Sequence, residues 1–454
     1  MIKRTIKQLS SMIEIKNNVS AFEQITFHGV CIDTRKLEKG NLFIPFKGEK
    51  IDGHTLVEKA FAEGAACVLW EEDVPNPPTH LPIIMVKDSA TALQQLAKSY
   101  RNELDVKVVG ITGSNGKTTT KDMTEAVLSK SYRVIKTEGN FNNELGLPLT
   151  ILRLEEDTEI AILEMGMSSF GEIEFLSNLA KPDVAIITNI GESHMQYLGS
   201  REGIAKAKLE ILSGLQKNGL FIYNAEEPLL TSQVDTLTIN KQSFGLTSGP
   251  TMYCTTIQQQ KMSTDFTINQ SDLTFTIPVL GKHNVQNALA ALLVGQFFGV
   301  SFNEMKEQLA QLSLTKMRAQ MIMGPNECML INDAYNASPT SMKAAIDLIS
   351  NMNNYSKKIV VLADILELGD LEVAYHQEIG TYLDPEKIDY IFTFGELGKE
   401  IANGARQKFG VDKAKSYNDK LKLAKELRSL LDKETTVLFK GSRGMKLEEI
   451  INNL

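Results

Sequence analysis

Lys117 and Thr118 sit in the stretch "VVGITGSNGKTTTKDM", residues 108–123, and together they have the makings of a nucleotide-phosphate site. A lysine ammonium balances β- and γ-phosphate charge, and a threonine hydroxyl can join a magnesium shell. Gly113, Ser114, Asn115 and Gly116 lead into the pair, and Thr119 follows it. Small residues let backbone N–H groups turn toward an anion at a helix start, where the helix dipole also favours negative charge. The spacing departs from the common Walker A loop, with one residue more between Gly110 and Gly116 and Ile111 at the position expected for the first glycine. A chance glycine turn is the bland alternative. A buried strand, a turn, Gly-Lys-Thr-Thr and a helix in succession favour a phosphate loop.

Other reactive side chains follow strand-like runs. Glu164 ends "IAILE" and His194 follows "DVAIITNIG". Runs apolar on both faces suit a parallel sheet covered by helices. Ligands bind beyond the carboxyl ends of such strands, so Gly113–Thr118, Glu164–Gly166 and Asn189–His194 are expected to converge. A lone histidine is more often structural than a ligand, and Lys206 and Lys208 on a predicted helix read first as solvated lysines. Asn140, Asn142 and Asn143 cluster in a turn. Asn284 and Asn287 open a helix, where capping competes with ligand binding.

These residues need three α/β units to carry them. At ~150 residues per domain, 454 residues suggest three domains, taken as 1–104, 105–316 and 317–454. The first offers short strands ("TFHGVCID", "NLFIPF", "CVLW", "PIIMV") and two helices. The second alternates strand and helix, with a Thr-rich antiparallel insertion expected at about 231–278. The third begins a new alternation ("CMLINDAY", "KIVVLADIL", "YIFTFG", "TTVLFKG") of Rossmann-like type. The class is α/β: a small N-terminal domain, a central mostly parallel ATPase sheet and a C-terminal nucleotide-type fold.

Bulk properties limit the partners. A net charge of -8 and the lack of a basic, aromatic-interleaved stretch argue against nucleic acid. The four cysteines are widely spaced without a CxxC pair, so buried free thiols in a reducing compartment are expected. "MIKRTIKQLSSMIEIKNN" reads as a short amphipathic helix rather than a signal peptide, and no run approaches membrane length. A cytoplasmic monomer without membrane insertion is the expectation.

The loop "TGSNGKTTT" resembles the ATP loop of the Mur ligase superfamily, to which folylpolyglutamate synthases also belong. Further motifs, "GNFNNELGLPLTIL", "EMGMSSFGEI", "NIGESHMQYLGS", "IAKAKLEI", "GKHNVQNALAA", "INDAYNASPTSMKAAI", "VLADILELG" and "KGSRGMKLEEI", resemble the branch that adds D-alanyl-D-alanine. The resemblance runs in order along nearly the whole chain. Ile365 and Ser193 stand where that branch more often has Met and Ala. The Asp-Asn-Pro-Arg stretch of the ligases that add the third amino acid is absent.

The resemblance implies an ATP-dependent ligase that joins D-alanyl-D-alanine to UDP-MurNAc-tripeptide through an acyl phosphate. Lys117 and the Gly113–Thr119 loop would hold ATP, with Asn287 near adenine, Arg318 toward phosphate and Asp333 toward ribose. Thr118 and Glu164 would hold a first Mg2+, His194 a second, and Lys208 would be carbamylated. Asn140 would approach the γ-phosphate. Thr34, Arg35, Asp52, Gly53 and His54 would contact the uridine nucleotide, although "DGH" reads equally as a tight turn. Asn336, Ala337, Pro339, Asp364, Glu367 and His376 would shape the dipeptide pocket or the domain interface. Another Mur ligase, a folylpolyglutamate synthase-like ligase and a non-catalytic nucleotide-sensing module are the rival readings.

Overall fold

The computed structural model describes all 454 residues. Four sheets organise them. Val30–Cys31, Leu42–Phe43, Cys67–Glu71 and Ile83–Val86 form a four-stranded parallel sheet near the N-terminus. Beside it, Lys3–Thr5 pairs antiparallel with Thr26–His28. The N-terminal segment is therefore a strand followed by the helix Ile6–Met12, whose N-cap Thr5 forms a capping box with Gln8.

The central sheet has nine strands. Lys107–Thr112 lies third from one edge, flanked in parallel by Val184–Ile187 and Ile160–Glu164. These are the runs that read as buried on both faces, and all residues of Ile160–Glu164 and Val184–Ile187 are buried. The expected antiparallel insertion is narrower than 231–278. Pro228–Val234 is a helix, and Lys241–Gly245 and the start of Met252–Gln259 still pair in parallel. Antiparallel pairing begins only between Met252–Gln259, Thr264–Ile268 and Ser271–Ile277. The alternating Thr side chains mark strands with one wet face, and Phe266 and Phe275 on the dry face stack at 5.5 Å. This arm extends the main sheet, and the same apolar cluster holds Phe266, Phe275 and the helix Lys282–Phe297.

The C-terminal sheet has six strands, parallel except for Gln320–Met323. Two apolar clusters cover its faces. Another cluster runs without a break from the N-terminal sheet through the helix Ser89–Glu103 to the central strands. All four cysteines are buried and free. No helix is long and apolar enough to cross a membrane.

Because the arm shares the central core, Phe275→Ala is expected to cost about 3–5 kcal/mol of global stability. Urea unfolding followed by circular dichroism checks this; an unmoved main transition would mean that the arm folds independently.

Candidate active site

The carboxyl ends of the central strands open into a cavity of about 710 Å³ between the central and C-terminal sheets. That is a ligand-sized volume. Only 9 of its 41 lining residues are hydrophobic, so it suits a polar, charged ligand. Gly113, Ser114, Asn115, Gly116, Lys117, Thr118 and Thr119 form one wall, with Glu164, Gly166, Asn189 and His194 beside them. The three strand ends converge.

The loop's glycines have a physical basis. Gly113 has φ 151°, and a Cβ there would lie 1.8 Å from Thr188 Oγ1. Gly116 has φ 82°, and a Cβ would meet Asn287 Oδ1 at 2.5 Å. Asn189 clamps the turn: its carbonyl accepts from Ser114 N at 3.1 Å and its Oδ1 from Asn115 N at 3.0 Å. The helix Lys117–Leu128 then starts with first-turn amides that lack intrahelical partners and face the cavity. Lys117 Nζ donates to Gly113 O at 2.7 Å, closing the loop on itself. Burial holds its ammonium below the usual lysine range, against the pull of Glu164.

Glu164 is buried. Its Oε2 accepts from Thr118 Oγ1 at 3.0 Å, and its Oε1 accepts from Asn142 Nδ2 at 2.9 Å. Asn142 and not Asn140 reaches the site; Asn140 is exposed, does not line the cavity, and serves the turn through its carbonyl. The turn carries Asn142, Asn143 and Glu144 to the cavity and leaves Asn140 outside it, a path that the sequence leaves open.

Lys208 is 3% exposed, lines the cavity, and makes neither a hydrogen bond nor an ion pair. Burial, and then the charge of Lys117, hold its amine well below the usual lysine range. Lys206, by contrast, sits over the Phe170 ring at 6.0 Å. His194 has φ 63° and places Nδ1 2.7 Å from Glu367 Oε2, near enough for an ion pair but misaligned for a hydrogen bond. Burial lowers its pKa, with Glu367 opposing.

Magnesium prefers oxygen ligands and keeps several waters. Buried Thr118 and Glu164 oxygens facing a polar cavity fit it, and an unpartnered Lys208 amine held well below the usual lysine range fits carbamate formation. No three His, Cys, Asp or Glu side chains gather as an all-protein cage. The fit is to a partly hydrated ion.

The C-terminal sheet supplies the opposite wall. Arg318 Nη2 donates to Thr118 Oγ1 at 3.1 Å and the guanidinium lies 4.1 Å from the Tyr335 ring centroid, while its buried Nε has no partner. Asp333 pairs with Lys440 at 2.6 Å. Asn115 and Ser338 hydrogen-bond across the gap at 3.1 Å, and Glu192 accepts from Thr340 Oγ1 at 2.7 Å. Asn287 lines the cavity, but its amide is occupied by Thr120 Oγ1 and by Asn284.

Several expected residues fall elsewhere. Asp364 is buried, accepting from Gly398 N at 2.7 Å. His376 is fully buried, accepting from Ile365 N at 2.9 Å through Nε2 and paired with Glu372 O at 2.6 Å through Nδ1. Both side chains fix turns within the C-terminal sheet's own loops. Ala337 and Pro339 are buried at the start of the helix Pro339–Ser350, off the cavity wall, whereas Asn336 lines it. Thr34, Arg35, Asp52, Gly53 and His54 do not line the cavity either. Asp52 caps the turn by accepting from His54 N at 2.9 Å and meets His54 Nδ1 at 2.7 Å. His54 Nε2 takes Glu71 N at 3.3 Å, so "DGH" is a satisfied structural turn. Arg35 is exposed and pairs only with Asp33.

Asn189 converges here as expected, though the sequence hides its part in clamping the loop; Asn142 as a Glu164 partner, Tyr335, Lys440, His283 and the Arg201–Glu227 pair at 2.9 Å also line the cavity and are not singled out by the sequence. Asn189 and Tyr335 stand inside the quoted motifs, so only their roles were hidden.

Known proteins share this arrangement. Residues 26–101 match the description "Mur ligase family, catalytic domain", 111–295 "Mur ligase middle domain" and 317–443 "Mur ligase, glutamate ligase domain". The chain is 52% identical over 454 residues to a UDP-N-acetylmuramoyl-tripeptide–D-alanyl-D-alanine ligase of Bacillus subtilis, covering 100% of this chain and 99% of the relative. A crystal structure of MurF from Acinetobacter baumannii superposes with TM-score 0.91 at 30% identity, over 100% and 99% of the two chains. A MurF ligase from Thermotoga maritima in complex with ADP superposes with TM-score 0.83 at 28% identity, over 94% and 96%. By its phosphate loop, its three-part architecture and its full-length likeness to these proteins, the chain belongs to the Mur ligase family.

Proposed function

We propose that this chain is an ATP-dependent amide ligase that joins D-alanyl-D-alanine to UDP-N-acetylmuramoyl-tripeptide, giving the pentapeptide precursor, ADP and phosphate. One observation carries the reading: a single polar cavity gathers Lys117, Arg318, Glu164 and an unpartnered Lys208 between two domains. The full-length likeness to the Bacillus subtilis ligase favours this substrate pair over that of a folylpolyglutamate synthase.

The chemistry starts from two anions. A tripeptide carboxylate oxygen attacks the γ-phosphorus, and the bond to the β-phosphate bridging oxygen breaks, releasing ADP. Lys117, the first-turn amides and Arg318 offset the repulsion and the charge spread over the transferring phosphoryl group. The dipeptide amine then attacks the acyl carbon, loses a proton, and phosphate departs. The wall formed by Arg318, Tyr335 and Asn336 limits water access to the acyl phosphate. Thr118, Glu164, His194 and a carbamylated Lys208 would hold magnesium, two ions in all, which would neutralise phosphate charge.

We assign 1–104 to the uridine nucleotide, with Thr34 and Arg35 as contacts, 105–316 to ATP, and 317–454 to closure and the dipeptide. Asn336 and Glu367 are the C-terminal candidates that reach the cavity or its rim. We assign the chain to the cytoplasm as a monomer; the residues named for ATP and the acyl phosphate all come from one chain.

Incubation with ATP, magnesium and UDP-MurNAc-tripeptide should release phosphate only when D-alanyl-D-alanine is present, with a pentapeptide mass appearing. Glutamate-dependent release instead would overturn the substrate assignment. Lys117→Ala should lower kcat on the order of a hundredfold or more. Depleting carbon dioxide should lower the wild-type rate, and bicarbonate should restore it. Lys208→Arg cannot form the carbamate and should be slow and unresponsive to bicarbonate; an unchanged wild-type rate in depleted buffer would exclude the carbamate.

A further inference from the structure

The helix that carries Lys117 and Thr118 also carries, one turn on, two charges that the reaction above does not use. Lys121 and Asp122 are each 1% exposed. Such groups are costly unless they are paired and hydrogen-bonded. Lys121 Nζ donates to Thr137 O at 2.8 Å and lies 4.0 Å from Glu164 Oε2 and 3.9 Å from Asp122 Oδ1. Thr137 Oγ1 in turn accepts from Glu164 N at 3.0 Å. Lys136 meets Asp122 Oδ1 at 2.8 Å. The charges alternate in sign from Lys136 through Asp122 and Lys121 to Glu164.

The second oxygen of Asp122 leaves this row. Oδ2 accepts from both the backbone N and the Oγ1 of Thr315, at 2.9 and 2.8 Å. Thr315 lies in the connection between the helix Phe302–Ala310 and the strand Gln320–Met323, where the chain passes from the central to the C-terminal sheet. Three residues later comes Arg318, flanked by Met317 at φ 65° and Ala319 at φ 48°. Left-handed backbone is strained for side chains of these types and persists only where neighbours over-determine it. The neighbours here are identifiable. Thr315 is held by Asp122, Arg318 by Thr118, and Ala319 N by Asp333 Oδ1 at 3.1 Å. A ring closes: Glu164, Thr118, Arg318, the linker, Thr315, Asp122, Lys121 and back to Glu164.

We propose that Asp122, fixed between Lys121 and Lys136, anchors the interdomain linker through Thr315 and so presets Arg318 against Thr118 at the phosphate site. Asp122 and Thr315 are thus positioning residues for phosphoryl transfer. The assignment rests on the ligase reading for its chemistry but on the linker geometry for its structure. Charge neutralisation alone would need no contact with the linker, and a simple covalent link would need no bent backbone on both sides of Arg318.

The test uses Thr315→Val, which keeps the shape and backbone donor and removes the hydroxyl, in the full chain, with and without Arg318→Ala. Losing one hydrogen bond to a carboxylate should lower kcat/KM for ATP by about tenfold with Arg318 present, and not at all in its absence. Thr315→Ser should restore the rate. The same pattern should appear in the dissociation constant of ATP with magnesium, read by calorimetry without tripeptide or dipeptide. Wild-type protein that binds ATP but shows no dipeptide-dependent phosphate release would overturn the ligase reading, while the calorimetric arm still decides the anchor. Wild-type affinity and rate in Thr315→Val, or losses that simply multiply with those of Arg318→Ala, would overturn the anchor.

Discussion

The structure turns on basic side chains held out of water beside the phosphate loop. Lys117, Lys208 and Arg318 face one cavity, with the buried carboxylate of Glu164 beside Thr118. Desolvation there is expensive: it holds the Lys208 amine well below the usual lysine range, and Arg318 Nε is buried without an acceptor. An arrangement of this kind costs stability in the free protein and is relieved by anions. Phosphate oxygens are what the loop geometry is shaped to admit.

The rest of the fold works to keep these groups in place. The central strands end level with one another, so that residues distant in sequence meet at one edge. Close contacts with Thr188 and Asn287 leave no room for a side chain at Gly113 or Gly116. The C-terminal sheet then adds Arg318, Tyr335 and Asn336 from across the gap, held near by the Asn115–Ser338 and Glu192–Thr340 hydrogen bonds. A polar interface of this type can open and close, whereas the continuous apolar cluster joining the N-terminal and central sheets resists separation.

What could be read from the sequence was what is contiguous or periodic. The phosphate loop, the buried parallel strands and the long helices announce themselves within a dozen residues. The Thr-rich arm was placed correctly near 252–277 but extended too far upstream, because Lys241–Gly245 is a short parallel strand with polar ends. The resemblance points to Asn140, whereas the three-dimensional path of the turn carries Asn142 to Glu164 and leaves Asn140 off the cavity wall. His376 and Asp364 looked reactive because of their types, yet backbone amides hold both as hydrogen-bond acceptors. Nothing in the local sequence sets Lys121 and Asp122 apart, because their partners lie on Thr137, Lys136 and Thr315, elsewhere in the chain.

The central claim is that this cavity transfers the γ-phosphoryl group to a carboxylate before the amide forms. Tripeptide labelled with oxygen-18 in its terminal carboxylate tests it directly, by mass spectrometry of the phosphate released during ligation. The account predicts one labelled oxygen in each phosphate, carried over when the amine displaces it from the acyl carbon. Unlabelled phosphate accompanying product would contradict the account.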